Sequence, residues 1–144
     1  MIHQALHQEI REEAGKKPEP TGAIIDTQSV KASPMTETRG FDGHKKVYGR
    51  KRHLVVDTLS FPLFVKVHNA NLDDQIQVFS VLQSVFFWFI SIKMIWADAA
   101  YNKSNDLVFW LLATHQCLIE VAPTLKANGF HVVPKRWIVE RTFG

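Results

Sequence analysis

Two short apolar runs in this chain each end in an aspartate: Ala23-Ile24-Ile25 stops at Asp26, and Met94-Ile95-Trp96-Ala97 stops at Asp98. Runs of this length and bulk read as buried strands. A carboxylate at the end of a buried strand is costly to desolvate unless something compensates it. The fold must therefore carry two interior strands that deliver acids to a sheltered place. A third acid, Glu140, lies in Pro134-Lys135-Arg136-Trp137-Ile138-Val139-Glu140-Arg141, which reads as a helix beginning near Pro134.

Periodicity and punctuation supply the other elements. Ile2, Leu6 and Ile10 recur at helical spacing, so residues 2–13 read as an amphipathic helix, ended by Gly15, Pro18 and Pro20. The Gly- and Pro-containing stretch 31–46 reads as a loop. His53 to Thr58 and Leu63 to His68 flank a turn and form an antiparallel hairpin. Asn71-Leu72-Asp73-Asp74 opens a helix with Ile76, Phe79, Leu82 and Phe86 on one face. Lys93 to Ala97 is a strand, Ser104-Asn105-Asp106 caps a helix carrying Leu107, Trp110 and Leu111, and Cys117 to Val121 is a strand. Pro123 to Gly129 reads as a loop before the final helix.

The order β-β-β-α-β-α-β-α predicts an α/β fold: a mixed five-stranded sheet, with a three-strand antiparallel meander plus two parallel strands and flanking helices. Residues 1–20 are expected to form an N-terminal helix and linker, and residues 21–144 the domain. Sites in such sheets gather at the C-terminal ends of parallel strands. If the first and fourth strands are neighbours, Asp26 and Asp98 stand side by side.

At 144 residues the chain fits one domain with one sizeable core. Its net charge of +3 and pI of about 9.1 suit a polyanion partner without demanding one. The distribution says more, because Lys45, Lys46, Arg50, Lys51 and Arg52 crowd together. Phosphate contact is the functional reading of Arg50, Lys51 and Arg52, and a solvated loop entering a strand the plainer one. The lone Cys117 excludes an intrachain disulfide and a Cys-based metal site, and reads as a small core hydrophobe. No secretory signal is visible, so a reducing cytoplasm is the expected location. Residues 75–92 carry no formal charge, but Gln75, Gln77, Ser80, Gln83, Ser84 and Ser91 interrupt them. A buried helix running into a strand fits better than a membrane span.

Two carboxylates held close cannot both ionise cheaply without a cation. Their hard oxygen ligands favour Mg²⁺ or Mn²⁺ over zinc. Two such ions clamp the attacking and leaving oxygens of a phosphodiester displacement. Asp26, Asp98 and Glu140 are therefore the expected catalytic and metal-binding residues. Taken singly, each acid has a plainer reading. Asp57, also at a strand end, reads as a turn acid, and Glu140 alone could pair with Arg136. Lys135, Arg136 and Arg141 flank Glu140 and are candidates for contact with phosphates. Trp88, Trp96, Trp110 and Trp137 read as core anchors, and His44 and His68 as loop and strand-end residues.

The segments AIIDTQSVKASP, GRKRHLVVDTL, VHNANLDDQ, IWADAAY and VVPKRWIVERTFG resemble the DDE transposases of bacterial insertion sequences, from about Thr21 to Gly144. That resemblance implies an RNase H-like fold with Asp26, Asp98 and Glu140 as first, second and third acids. It implies Mg²⁺-dependent (or Mn²⁺-dependent) cleavage at transposon ends, followed by strand transfer of the freed 3′-hydroxyl into target DNA. The partners it admits are DNA, further copies of the chain, and a DNA-binding polypeptide from an upstream reading frame; no membrane is expected. Relatives usually carry an N-terminal DNA-binding region and extend past the third acid, so a fragment truncated at both ends is expected. The alternatives are a catalytically inactive DNA-binding remnant and a nuclease of the same fold without strand transfer.

Overall fold

The structure, a computed structural model, describes residues 2–31, 40–42, 47–98, 101 and 105–121, with the backbone alone described at 31, 40–42, 47 and 48. Among these residues the element order is α1 (Ile2–Glu13), β1 (Gly22–Lys31), β2 (Gly40–Asp42), β3 (Val47–Asp57), β4 (Pro62–Asn69), α2 (Asp74–Trp88), β5 (Met94–Ala97), α3 (Asn105–His115) and β6 (Leu118–Val121). The loop expected at 123–129 and the helix expected from Pro134 lie outside the described residues.

The six strands fill five positions across one sheet. β3 is its hub, pairing antiparallel with β1 along one edge. Along its other edge it pairs with β2 at residues 47–49 and with β4 at residues 50–56. β1 pairs parallel with β5, and β5 parallel with β6. The result is the mixed sheet of an RNase H-like arrangement, with the antiparallel meander and the two parallel strands that the element order predicts. Two boundaries differ. The stretch expected to be a loop contains β2, and β3 starts at Val47 rather than His53. β3 runs through the basic cluster because β1 extends to Lys31 and supplies ladder partners as far as Gly49.

Strand alternation divides the side chains between two faces. On one face, Ala23, Ile25, Val55, Ile95 and Ala97 meet Val78, Val81, Leu82, Val85 and Phe86 of α2 and Leu107 and Leu111 of α3. On the other, Ile24, Leu54 and Val56 form a smaller cluster under Trp96, to which α1, α2 and α3 contribute nothing. Gly22 allows this packing, since a Cβ there would lie 2.7 Å from Trp96 Cζ3. Trp96 Nε1 donates to Glu120 Oε2 at 3.1 Å, which fixes the indole across β5 and β6.

The N-cap of α2 is Asp73, whose side chain accepts the Gln75 N–H at 2.8 Å. Its buried face differs from the expected one: Phe86 and Leu82 are buried, Phe79 is partly buried, and Ile76 is 69% exposed. The helix is apolar at most positions, so its sequence pattern points weakly, and the sheet selects the Val78-Val81-Leu82-Val85 face.

α1 departs further. It ends in a Schellman motif, with Lys16 N–H on the Arg11 carbonyl, Gly15 N–H on the Glu12 carbonyl, and Gly15 at φ +71°. Its apolar stripe of Ile2, Leu6 and Ile10 is exposed, and its buried residues are His7 and Arg11. The cause is Asp57, which is fully buried. One carboxylate oxygen accepts the N–H groups of Leu59 and Phe61 at 2.8 and 2.9 Å, as a turn acid should. The other accepts Arg11 Nη1 at 2.5 Å and His7 Nε2 at 3.0 Å. His7 also sits edge-on to Phe61 and Phe89. No helix among the described residues is long and apolar enough to cross a membrane.

Candidate active site

The parallel β1–β5 ladder ends with Ile25 opposite Ala97, so the next residues of the two strands are Asp26 and Asp98. Asp26 shares the face of Ile24, and Asp98 directly follows the last residue of β5. Asp26 is 7% exposed, and its Oδ1 accepts the Thr27 N–H at 2.7 Å. Asp98 is partly exposed. Glu140, Lys135, Arg136 and Arg141 lie outside the described residues.

The basic run is divided by the same alternation. Arg50 and Arg52 fall on the acid face, where Arg52 donates to Gln28, the next residue of β1 on Asp26's side. Lys51 points the other way. It is 7% exposed, and its ammonium lies 3.0 Å from Asp74 Oδ1. Of the three basic residues expected to meet DNA, Lys51 is thus the one whose ammonium lies on the helix-covered side, paired with α2.

Beneath the acids, on the helix-covered face, lies a polar cluster. His53 is fully buried, with Nε2 2.6 Å from His68 Nε2 and Nδ1 3.2 Å from the Tyr101 hydroxyl. His68 Nδ1 lies 2.7 Å from the Asn69 carbonyl. Tyr101, 2% exposed, also hydrogen-bonds the Thr27 side chain, and its N–H donates to the Asp98 carbonyl at 3.2 Å. Burial, followed by the charges of Asp74, Asp26 and Asp98, holds its phenol well above the usual 10.0, so it remains a donor. His53, His68 and Asp74 offer ligand atoms within 4.8 Å of one another, a set capable of coordinating a divalent cation. Sequence reasoning missed this cluster. The signal was two histidines placed on the paired strands of one hairpin, where the register sets Lys51 opposite His68 and His53 opposite Lys66. Cys117 is buried, its thiol pushed up to about 11 by desolvation, as suits an inert core residue.

The family described as the transposase DDE domain matches residues 17–144. The chain belongs to that family. Its fold is also similar to the cryo-EM structure of the piggyBac transposase in a synaptic complex with hairpin DNA, at a TM-score of 0.53 and 14% identity. That match covers 77% of this chain and 24% of the piggyBac chain, so this DDE domain spans about a quarter of that relative. No curated protein matches the chain significantly.

A DDE domain implies Mg²⁺ or Mn²⁺, and the side chains that Asp26 and Asp98 offer are carboxylates. The Thr27 N–H orients the Asp26 carboxylate through Oδ1, and Asp98, which directly follows β5, is partly exposed. Hard oxygen donors of this kind suit those ions.

Proposed function

We propose that this DDE domain cleaves DNA phosphodiester bonds and transfers the freed strand, with Asp26, Asp98 and Glu140 as its acids. The observation that carries the reading is the β1–β5 register, which makes Asp26 and Asp98 successive neighbours at the C-terminal ends of parallel strands. Asp26 and Asp98 would hold Mg²⁺ or Mn²⁺, with two ions once Glu140 joins them. When bound, such ions neutralise the charge that develops on phosphate oxygens and activate the attacking oxygen. The Thr27 N–H fixes the Asp26 carboxylate. Arg50 and Arg52, on the same face, meet the DNA backbone through charge, a largely sequence-neutral contact. Lys135, Arg136 and Arg141 extend that contact beside Glu140.

Mg²⁺-dependent nicking and joining of a duplex carrying a transposon end tests the reading. Asp26→Asn and Asp98→Asn should each reduce cleavage at least roughly a thousandfold, equivalent to about 4 kcal/mol of transition-state stabilisation. Nonspecific DNA binding should survive both. An Asp98→Asn protein that still cleaves would sink the assignment. A wild-type chain that binds DNA but never cleaves would favour the inactive remnant, and cleavage without joining the nuclease.

A further inference from the structure

Asp26, on β1, points away from the helix-covered face and Asp98 directly follows β5, yet the polar contacts that link them run through that face. Thr27 gives its N–H to Asp26 Oδ1 and its side chain to Tyr101. Tyr101 in turn gives its N–H to the Asp98 carbonyl. We propose that Tyr101, steadied by His53 and His68, is a positioning residue that sets Asp98 against Asp26. The proposal rests on the carboxylate centre described above and assigns Tyr101 no contact with substrate or metal.

The proton order along the cluster follows from a single group. The Asn69 carbonyl can only accept, so His68 Nδ1 carries a hydrogen and donates to it at 2.7 Å. With both imidazoles neutral, His68 Nε2 is then bare and accepts from His53 Nε2 at 2.6 Å. His53 Nδ1 is bare in its turn and accepts the Tyr101 hydroxyl at 3.2 Å. The Tyr101 oxygen is left to accept from the Thr27 hydroxyl. Every member of this chain donates once, so it runs in one direction. A buried network satisfied in this way is stiff. It joins β4, β3 and β1 to the turn that carries Asp98.

The same geometry separates this role from cation binding by the histidines. Two imidazole nitrogens on one tetrahedral ion, with bonds of about 2.0–2.1 Å, stand roughly 3.3 Å apart. Here they are 2.6 Å apart, at hydrogen-bonding distance. The carboxylate that would complete the ligand set, Asp74, is paired with the Lys51 ammonium at 3.0 Å.

Mn²⁺ titration of the full chain, read by electron paramagnetic resonance of the free ion and paired with thermal unfolding of each variant, tests the proposal. Asp98→Asn should abolish binding. Tyr101→Phe keeps the ring and Thr27→Val keeps the shape, so both should fold. Each should weaken Mn²⁺ binding about 10–100-fold, the usual cost of removing an outer-shell partner. If both variants bind Mn²⁺ within about twofold of wild type while Asp98→Asn does not, the positioning role falls and the carboxylate centre stands. If Asp98→Asn binds as wild type does, the centre itself falls, and the role of Tyr101 with it. A His68→Ala protein that loses Mn²⁺ as completely as Asp98→Asn would put the ion on the histidines and overturn the proposal.

Discussion

Replacing Asp57 by alanine asks whether α1 is integral to the domain or an appendage. A turn acid serves only its local backbone, and losing such a cap costs about 0.5–2 kcal/mol. The structure predicts more. Asp57 is fully buried, and its second oxygen is the acceptor for Arg11, which is 4% exposed. Asp57→Ala would leave a guanidinium buried with no carboxylate. Breaking a buried pair from one side costs about 3–5 kcal/mol, a large part of the roughly 5–15 kcal/mol that holds a domain together. Urea unfolding at neutral pH reads the loss directly as a shift in midpoint. Arg11→Ala and the double variant complete a cycle, in which residues sharing one buried network should show a coupling of about 1–3 kcal/mol. A cost for Asp57→Ala below about 2 kcal/mol, additive with Arg11→Ala, would refute the clamp and return Asp57 to a plain turn acid.

Three further outcomes are expected. Arg50→Ala with Arg52→Ala should flatten the slope of log affinity for duplex DNA against log salt by roughly 1.8, while Lys51→Ala should leave it nearly unchanged. An equal effect from Lys51→Ala would contradict the division of the basic run between faces. Burial, opposed by Asp57, holds His7 below its usual 6.5, and burial and then Lys93 do the same for His115, stacked on Phe86. The folded state thus binds fewer protons than the unfolded one, so this stability is present above 6.5 and lost as pH falls through it toward the lower folded values. The unfolding midpoint should drop between about pH 7.5 and 5.5, and drop less in His7→Phe and His115→Phe proteins. Lastly, Gln116 and Ser60 hold φ values of +51° and +70°, where glycine is at ease. Gln116→Gly and Ser60→Gly should each raise stability by roughly 0.5–1 kcal/mol, and a loss at either would contradict the backbone assigned there.

The sheet was readable because its strands are short apolar runs bounded by turn residues, and each acid closes such a run. Asp26 and Asp98 announce themselves by being out of place. β2 did not, since a strand of three residues is too short to leave a periodic trace. The buried face of α1 could not be read from its own sequence, where Ile2, Leu6 and Ile10 make the better stripe. Its partner Asp57 lies 46 residues from Arg11, and a charge–charge contact at that separation has no local signature. The burial of Lys51 was not legible because a basic run reads as a line of charge, when a strand sends alternate residues to opposite sides. His53 and Tyr101 were visible as letters of a resemblance, but their hydrogen bonds join three strands and a turn. Only the register brings them together.

A single layer of sheet lies between the side where DNA would rest and the side where the acids are steadied. Probes that approach from solvent, such as crosslinkers or footprinting reagents, would map only the first. A saturation screen for loss of activity should instead return two clusters of positions, back to back, one of them in no contact with nucleic acid. Inhibitor-resistant or suppressor changes could then arise behind the sheet, by re-aiming carboxylates that the substituted residue never touches.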